Sequence, residues 1–130
     1  MKVFYTPIEV TRLLDITYRR IQYLDESNIL SPSYKRSGRY RLYTFKELAC
    51  LHVLVTLRKS GFSLQKISGD ILPFLKEALK QDREKIFKTV IGFGKKGEIL
   101  ICDEKPETFK MDSFTWVDLG ELELIIREGK

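Results

Sequence analysis

Residues 33–43 have the sequence Ser-Tyr-Lys-Arg-Ser-Gly-Arg-Tyr-Arg-Leu-Tyr, with four cationic side chains, three tyrosines and no acid in eleven positions. Four cations this close together cannot all be buried, because each unpaired charge costs free energy when it leaves water. The glycine, Gly38, allows a tight turn between two short alternating flanks. The stretch therefore predicts a β-hairpin that carries positive charge at its tip and faces water or a polyanion.

The positive charge of the chain is concentrated in its N-terminal half. The whole chain of 130 residues has a formal net charge of +5. Residues 1–68 contain 12 Lys and Arg against 5 Asp and Glu, whereas residues 69–130 contain 11 against 13. The first half is thus at +7 and the second at −2. A positive field confined to one half is typical of a protein in which that half meets a phosphate backbone.

Two short helices joined by a brief turn are predicted before the hairpin. The first begins at Pro7, with Thr6 as its N-cap and Glu9 as the acid of a capping box. The second has Thr17 as its N-cap and runs to about Asn28. Ile21 and Leu24 are expected to face inward, with Tyr23 as a further candidate. The side chains left to an outside partner are those of Tyr18, Arg19, Arg20 and Gln22. Two helices this close in sequence are typical of a helix-turn-helix.

Two further helices are predicted after the hairpin, followed by one longer amphipathic helix. Thr44 caps the third helix, Glu47 completes its capping box, and Gly61 ends it. Ser63 opens the fourth helix. Residues 70–88 then carry an apolar stripe, which we expect to join two copies of the chain or to form the floor under the C-terminal segment. The stripe consists of Leu72, Leu75, Leu79 and Ile86.

The pattern becomes β-like from Thr89 onward. Two apolar runs, 90–93 and 99–102, flank a glycine-rich turn and predict a second hairpin. Residues 114–117 and 122–126 also predict strands, with a helix as the alternative for the second run. The predicted fold class is α+β: a winged helix-turn-helix of four helices and a β-hairpin wing, then a helix and a small β-rich segment. The predicted divisions are 1–69 for DNA binding, 70–88 for linking or dimerisation, and 89–130 for an effector or a partner.

No pattern in the sequence is typical of a catalytic or metal site. Cys50 and Cys102 lie far apart in apolar surroundings, as small core residues do. His52 is the only histidine, and the sequence offers it no partners for catalysis or metal binding. We therefore predict a protein that is not an enzyme and has no cofactor or metal. The sequence shows no signal peptide and no apolar run of membrane-spanning length, which predicts a cytoplasmic location.

Five short strings occur in a fixed order across the N-terminal half. They are Tyr5-Thr-Pro-Ile-Glu-Val10, Tyr23-Leu-Asp-Glu26, Ile29-Leu-Ser-Pro32, Tyr40-Arg-Leu-Tyr43 and Leu57-Arg-Lys-Ser-Gly-Phe-Ser63. In this order and at this spacing, residues 4–68 resemble the DNA-binding domain of the MerR family of bacterial transcription regulators. The resemblance implies a winged helix-turn-helix whose second helix enters the major groove while the hairpin follows the DNA backbone beside it.

The sequence departs from the family pattern at several positions. Asp15 stands where a turn glycine is usual, and Asp tolerates the left-handed conformation that the turn requires. Gln22 replaces a commonly basic residue of the recognition helix, and Leu24 replaces a second tyrosine. Because of these changes, an operator known for the family is not transferred to this chain. Family members also carry a long dimerisation helix, whose place only residues 70–88 can take here.

DNA contacts are predicted from both the second helix and the hairpin. The helix residues are Thr17, Tyr18, Arg19, Arg20, Gln22 and Tyr23. The hairpin residues are Lys35, Arg36, Arg39, Tyr40, Arg41 and Tyr43. We expect the cations of the hairpin to bind phosphates and the helix to read base edges. The two tyrosines of the hairpin are expected to pack through their rings and reach phosphate through their hydroxyls, with packing alone as the alternative for Tyr43.

The predicted function is a dimeric, sequence-specific regulator that binds double-stranded DNA at a pseudo-palindromic site. One alternative is an antitoxin-like autorepressor whose C-terminal segment binds a protein partner. Another is an excisionase-like architectural DNA protein, although the long C-terminal segment argues against it. Co-purification with another protein would favour the first alternative.

Overall fold

The computed structural model describes residues 2–35, 41–103 and 113–129, which form a mixed α+β fold. The helices are α1 (Pro7–Leu14), α2 (Tyr18–Glu26), α3 (Phe45–Lys59), α4 (Leu64–Lys66), α5 (Leu72–Ala78), α6 (Arg83–Phe87) and α7 (Gly120–Glu128), with a π-helix (Ile67–Ile71) between α4 and α5. The strands are β1 (Phe4–Tyr5), β2 (Tyr34–Lys35), β3 (Arg41–Thr44), β4 (Val90–Gly94), β5 (Ile99–Cys102) and β6 (Phe114–Asp118).

The predicted caps set the helix starts in the N-terminal half. The Thr6 hydroxyl accepts a hydrogen bond from the Glu9 amide at 3.1 Å, and the Glu9 carboxylate accepts one from the Thr6 amide at 2.9 Å. Thr44 and Glu47 form the same reciprocal pair at the start of α3. Asp15 adopts the left-handed conformation after α1, with φ of 53°. The turn between α1 and α2 therefore forms without a glycine.

The base of the first hairpin is formed by β2 and β3, which pair antiparallel with Lys35 opposite Arg41. Its predicted tip, 36–40, lies outside the described residues. A third strand, β1, pairs with the other edge of β3, so the sheet order is β1-β3-β2. The sequence analysis missed this strand because two residues are too few to show an alternating pattern. The Phe4 ring stacks on Tyr34 at 3.9 Å between centroids, which fastens the two outer strands together.

The predicted helix over 70–88 is divided into two. A π-helix precedes Pro73, which is the second residue of α5 and has no amide proton for a helical hydrogen bond. Helix α5 ends at Ala78, and α6 begins only at Arg83. The four side chains of the apolar stripe are at most 2 % exposed and belong to one core that extends from Tyr5 to Leu122. They therefore serve as the floor of the fold, and none is available to a second copy.

The C-terminal segment forms an antiparallel sheet of order β5-β4-β6 and one helix. The predicted hairpin of β4 and β5 is present, with Gly97 in its turn at φ of 94°. The strand prediction for residues 122–126 is wrong, and the helical alternative is correct, because these residues lie within α7. Leu122 is buried and Ile126 packs against the core one helical turn later, whereas Leu124 is 55 % exposed. Helix α7 contacts α1 and α6, which joins the segment to the helix-turn-helix.

Candidate nucleic-acid interface

Helix α2 is anchored by its apolar side and exposes its polar side. The Thr17 hydroxyl accepts a hydrogen bond from the Arg20 amide at 3.1 Å, which fixes the first turn. Ile21 and Leu24 are buried in the core. The predicted recognition residues are all exposed: Thr17, Tyr18, Arg19, Arg20, Gln22 and Tyr23. The side chain of Tyr23 is turned outward, as shown by a residue exposure of 53 %.

Three of these exposed side chains lie along a single stripe of α2. Arg19, Gln22 and Tyr23 are spaced three and four residues apart, which places them on the same helix face. This stripe offers a guanidinium, an amide and a phenol, so it can donate to and accept from the edges of bases. We call Arg19, Gln22 and Tyr23 the recognition stripe.

The hairpin is linked to α2 by an ion pair. The Arg41 guanidinium in β3 donates to both carboxylate oxygens of Asp25, at 2.9 and 3.0 Å, in the last turn of α2. Both side chains remain partly exposed, at 46 % for Arg41 and 32 % for Asp25. Arg41 was predicted as a phosphate contact, and its position adds a second role, the orientation of the hairpin relative to α2.

The structure describes only some of the remaining DNA contacts that were predicted in the hairpin. Tyr43 is 1 % exposed and belongs to the core, which favours the packing alternative. Burial raises the pKa of its phenol, and the nearby carboxylates of Asp25 and Glu47 raise it further. The backbone of Lys35 lies in β2 opposite Arg41. Three predicted contacts lie outside the described residues: Arg36, Arg39 and Tyr40.

Two cations that the sequence analysis did not select lie beside the first turn of α2. Arg58 lines a groove of about 400 Å³ together with Arg19 and Arg20. Its guanidinium donates a hydrogen bond to the Phe62 carbonyl at 3.1 Å. Lys59 lines an adjoining groove of about 260 Å³ that also includes Arg20. Both residues belong to the last turn of α3. The sequence feature that could have identified them is a pair of adjacent cations directly after the core residue Leu57, at the end of a predicted helix.

The thiol and imidazole groups near the core are in unreactive surroundings. Burial raises the pKa of the Cys50 thiol to about 12, so it is protonated at neutral pH. Burial also lowers the pKa of His52, although Asp118 opposes this effect. Among residues 2–35, 41–103 and 113–129, no group of three or more His, Cys, Asp or Glu side chains is arranged to hold a metal ion. The helices in the same ranges include none with the length and apolar character needed to cross a membrane.

Comparison with known protein families gives one match over the region that carries these features. Residues 5–69 match the family described as MerR HTH family regulatory protein. A search of curated proteins found no match to the chain. The family match covers half of the chain and includes α1, α2, the hairpin and α3. The chain therefore belongs to the MerR HTH family of regulatory proteins.

Proposed function

We propose that this DNA-binding transcription regulator recognises a specific double-stranded site, with α2 in the major groove and the basic hairpin on the flanking phosphates. The exposed recognition stripe of α2 is the observation that carries the proposal. A major groove admits one helix, and each base pair displays a distinct pattern of donors and acceptors there. Arg19 can pair with guanine and Gln22 with adenine through two hydrogen bonds each.

The cations around the stripe supply the contacts that do not depend on sequence. Arg20, Arg58 and Lys59 lie close to the first turn of α2, and Arg41 lies at its other end. Phosphates on both sides of a groove can therefore be neutralised while α2 occupies it. Each such contact releases counterions and makes binding weaker as salt rises.

Selection of bound duplexes from a random pool would test the proposal directly. We expect a recovered motif whose strongest positions contact the recognition stripe, and an affinity that falls steeply with salt. A pool that shows no enrichment, together with no association with any duplex at low ionic strength, would contradict the proposal.

The Arg41–Asp25 pair gives a prediction about the hairpin. Arg41→Ala should weaken binding to every duplex. It should also reduce the slope of log affinity against log salt concentration by about one, as expected for the loss of one phosphate contact. Asp25→Asn should strengthen binding to every duplex, because it frees the guanidinium and removes a negative charge near phosphate. The exposed ion pair itself contributes only about 0–1 kcal/mol to the position of the hairpin, so its loss should not reverse this gain. Binding isotherms at several salt concentrations would measure both effects.

Glu26→Gln is the matched control for Asp25→Asn. Glu26 is exposed and adjacent in sequence, and no ion pair involves it in the described part of the chain. The Glu26→Gln substitution removes the same charge as Asp25→Asn without freeing Arg41, so it should increase the affinity for DNA by less. Weaker binding by Asp25→Asn would instead show that Arg41 acts through the position of the hairpin.

We further propose that the regulator is a homodimer and that two copies pair along strand β5. This strand bonds to β4 on one side, and its other edge is open in the described sheet. Its sequence, Ile-Leu-Ile-Cys, has no charge or proline to protect an edge, and Leu100 and Ile101 are 36 % and 47 % exposed. Antiparallel pairing of two β5 strands is self-complementary, and such a two-fold dimer would bind a pseudo-palindromic site.

Ile101→Lys should convert the dimer to a monomer, because it places a charged side chain from each copy in the otherwise apolar strand pair. Light-scattering mass at micromolar concentration would measure the change. Leu124→Lys is the control, since Leu124 is also exposed but lies on α7. A dimeric Ile101→Lys variant would exclude this interface. A parent protein that is monomeric on and off DNA, and that co-purifies with a different protein, would favour a partner-binding C-terminal segment instead.

A further inference from the structure

A cavity of about 640 Å³ lies where the C-terminal helix meets the helix-turn-helix. Strand β1 and helix α1 line one side, and helices α6 and α7 line the other. Its volume is within the usual range for small-molecule sites. Much of the wall is apolar, with side chains from Leu13, Phe87 and Ile126. The cavity is separate from the recognition stripe, none of whose residues line it.

Arg83 is a partly buried charged group in this wall, and no ion pair between the described residues gives it an anionic partner. Its Nη1 donates to the Lys2 carbonyl at 2.5 Å, and its Nη2 donates to the Tyr5 hydroxyl at 2.7 Å. The guanidinium carbon lies 4.2 Å from the centre of the Phe45 ring. Its Nε is buried without a hydrogen-bond partner among the residues that the structure describes. None of the ion pairs between those residues includes Arg83.

The carboxylates that line the cavity are already engaged. Glu9 contacts the Lys2 ammonium and also accepts a hydrogen bond from the Thr6 amide. Glu123 pairs with Arg127 at 3.3 Å. A guanidinium remains charged at every physiological pH, and a partly buried one without an anion carries a desolvation cost. No carboxylate of the cavity wall is therefore paired with the positive charge of Arg83.

Arg12 adds a second positive charge to the same wall. It lies in the last turn of α1, is exposed, and forms no ion pair with the described residues. An anion near Arg83 would therefore be attracted by two cations, one partly buried and one exposed. The apolar wall would exclude water from the body of a ligand that enters with this anion.

We propose that this cavity binds a small organic carboxylate with an apolar aliphatic or aromatic body. The carboxylate pairs with Arg83, and the apolar body packs against Leu13, Phe87 and Ile126. Pairing with a carboxylate supplies the charge-assisted hydrogen bonds that a neutral ligand cannot make with the guanidinium. Because its walls come from α1 and α7, the bound ligand joins the helix-turn-helix to the C-terminal segment. The proposal does not depend on how α2 meets DNA.

Titration of the full chain with two carboxylates and their neutral amides would test this inference. The probes are octanoate with octanamide and phenylacetate with phenylacetamide, followed by calorimetry and by amide chemical shifts. We expect at least one carboxylate to bind with a Kd below about 1 mM. Its amide should bind at least about tenfold more weakly, because it lacks the charge that pairs with Arg83. Shifted amide signals should belong to α1, α6 and α7.

Arg83→Gln should remove the preference for the carboxylate over the amide, whereas Arg20→Gln, which changes the same charge outside the cavity, should retain it. Arg12→Gln provides a second variant at an exposed position, where the fold is not at risk, and should weaken carboxylate binding by about threefold. The proposal is overturned if neither carboxylate binds, if each amide binds as well as its carboxylate, or if Arg83→Gln folds and keeps the preference. It is also overturned if the shifted signals lie away from the cavity.

Discussion

Arg19→Ala is expected to remove most of the discrimination between the selected DNA site and an unrelated duplex, at a cost of about 1–3 kcal/mol. Arg19 is exposed on α2 in line with Gln22 and Tyr23, and the first turn that carries it is fixed by the Thr17 cap. A guanidinium in this position can make two hydrogen bonds to one guanine, which an alanine cannot replace. The ratio of the two affinities at one fixed salt concentration would measure the loss.

Arg127→Ala is the control for this experiment, because it removes the same charge from α7 and should leave the ratio unchanged. Gln22→Ala should alter the preference at a neighbouring position of the motif and leave the salt slope unchanged. If Arg19→Ala instead weakens both duplexes equally and lowers the salt slope, Arg19 contacts phosphate and the proposed reading of bases by α2 is wrong.

The elements that local sequence determines were predictable. Thr6 and Glu9 satisfy the first amides of α1 from three residues apart, and the same geometry recurs at Thr44 and Glu47. The exposed face of α2 followed from the burial of Ile21 and Leu24 at helical spacing. Such features depend on residues within one helical turn, so no knowledge of the tertiary fold was needed.

The features that depend on distant partners were not predictable in the same way. Asp25 and Arg41 are sixteen residues apart in sequence, and nothing local indicated that they would form an ion pair. An apolar stripe such as Leu72 to Ile86 looks the same whether its own chain or a second copy covers it. Only the position of the C-terminal sheet decides between these roles, and here the chain covers its own stripe.

The cavity around Arg83 could not be predicted from the sequence either. Its wall combines residues from both ends of the chain, and the Arg83 guanidinium is held by groups at Lys2 and Tyr5, about eighty positions earlier. In sequence, Arg83 is one charge among several in the polar run 80–85, which includes the start of α6. Its lack of an anionic partner in the described chain is a tertiary property.

Gly92→Val is expected to destabilise the fold by an amount near the top of the range of about 1–3 kcal/mol for overpacked sites. Gly92 lies in the central strand β4, opposite Leu100 on one side and Trp116 on the other. A Cβ atom at this position would lie 2.7 to 2.9 Å from three atoms of the Trp116 ring. The ring also stacks with Phe114, at 5.8 Å between centroids, which restricts its movement away from the new side chain. Urea unfolding of the variant would measure the loss.

A double-mutant cycle with Trp116→Ala would establish that the indole ring is the cause. The combined variant should be more stable than the sum of the two single changes predicts, by about 1–2 kcal/mol, because the ring that meets the valine is absent. Gly69→Val is the control, since a Cβ atom at Gly69 meets nothing within 4 Å. Equal losses at Gly69 and Gly92, or an additive cycle, would show that close packing of Trp116 on β4 is not what requires glycine there.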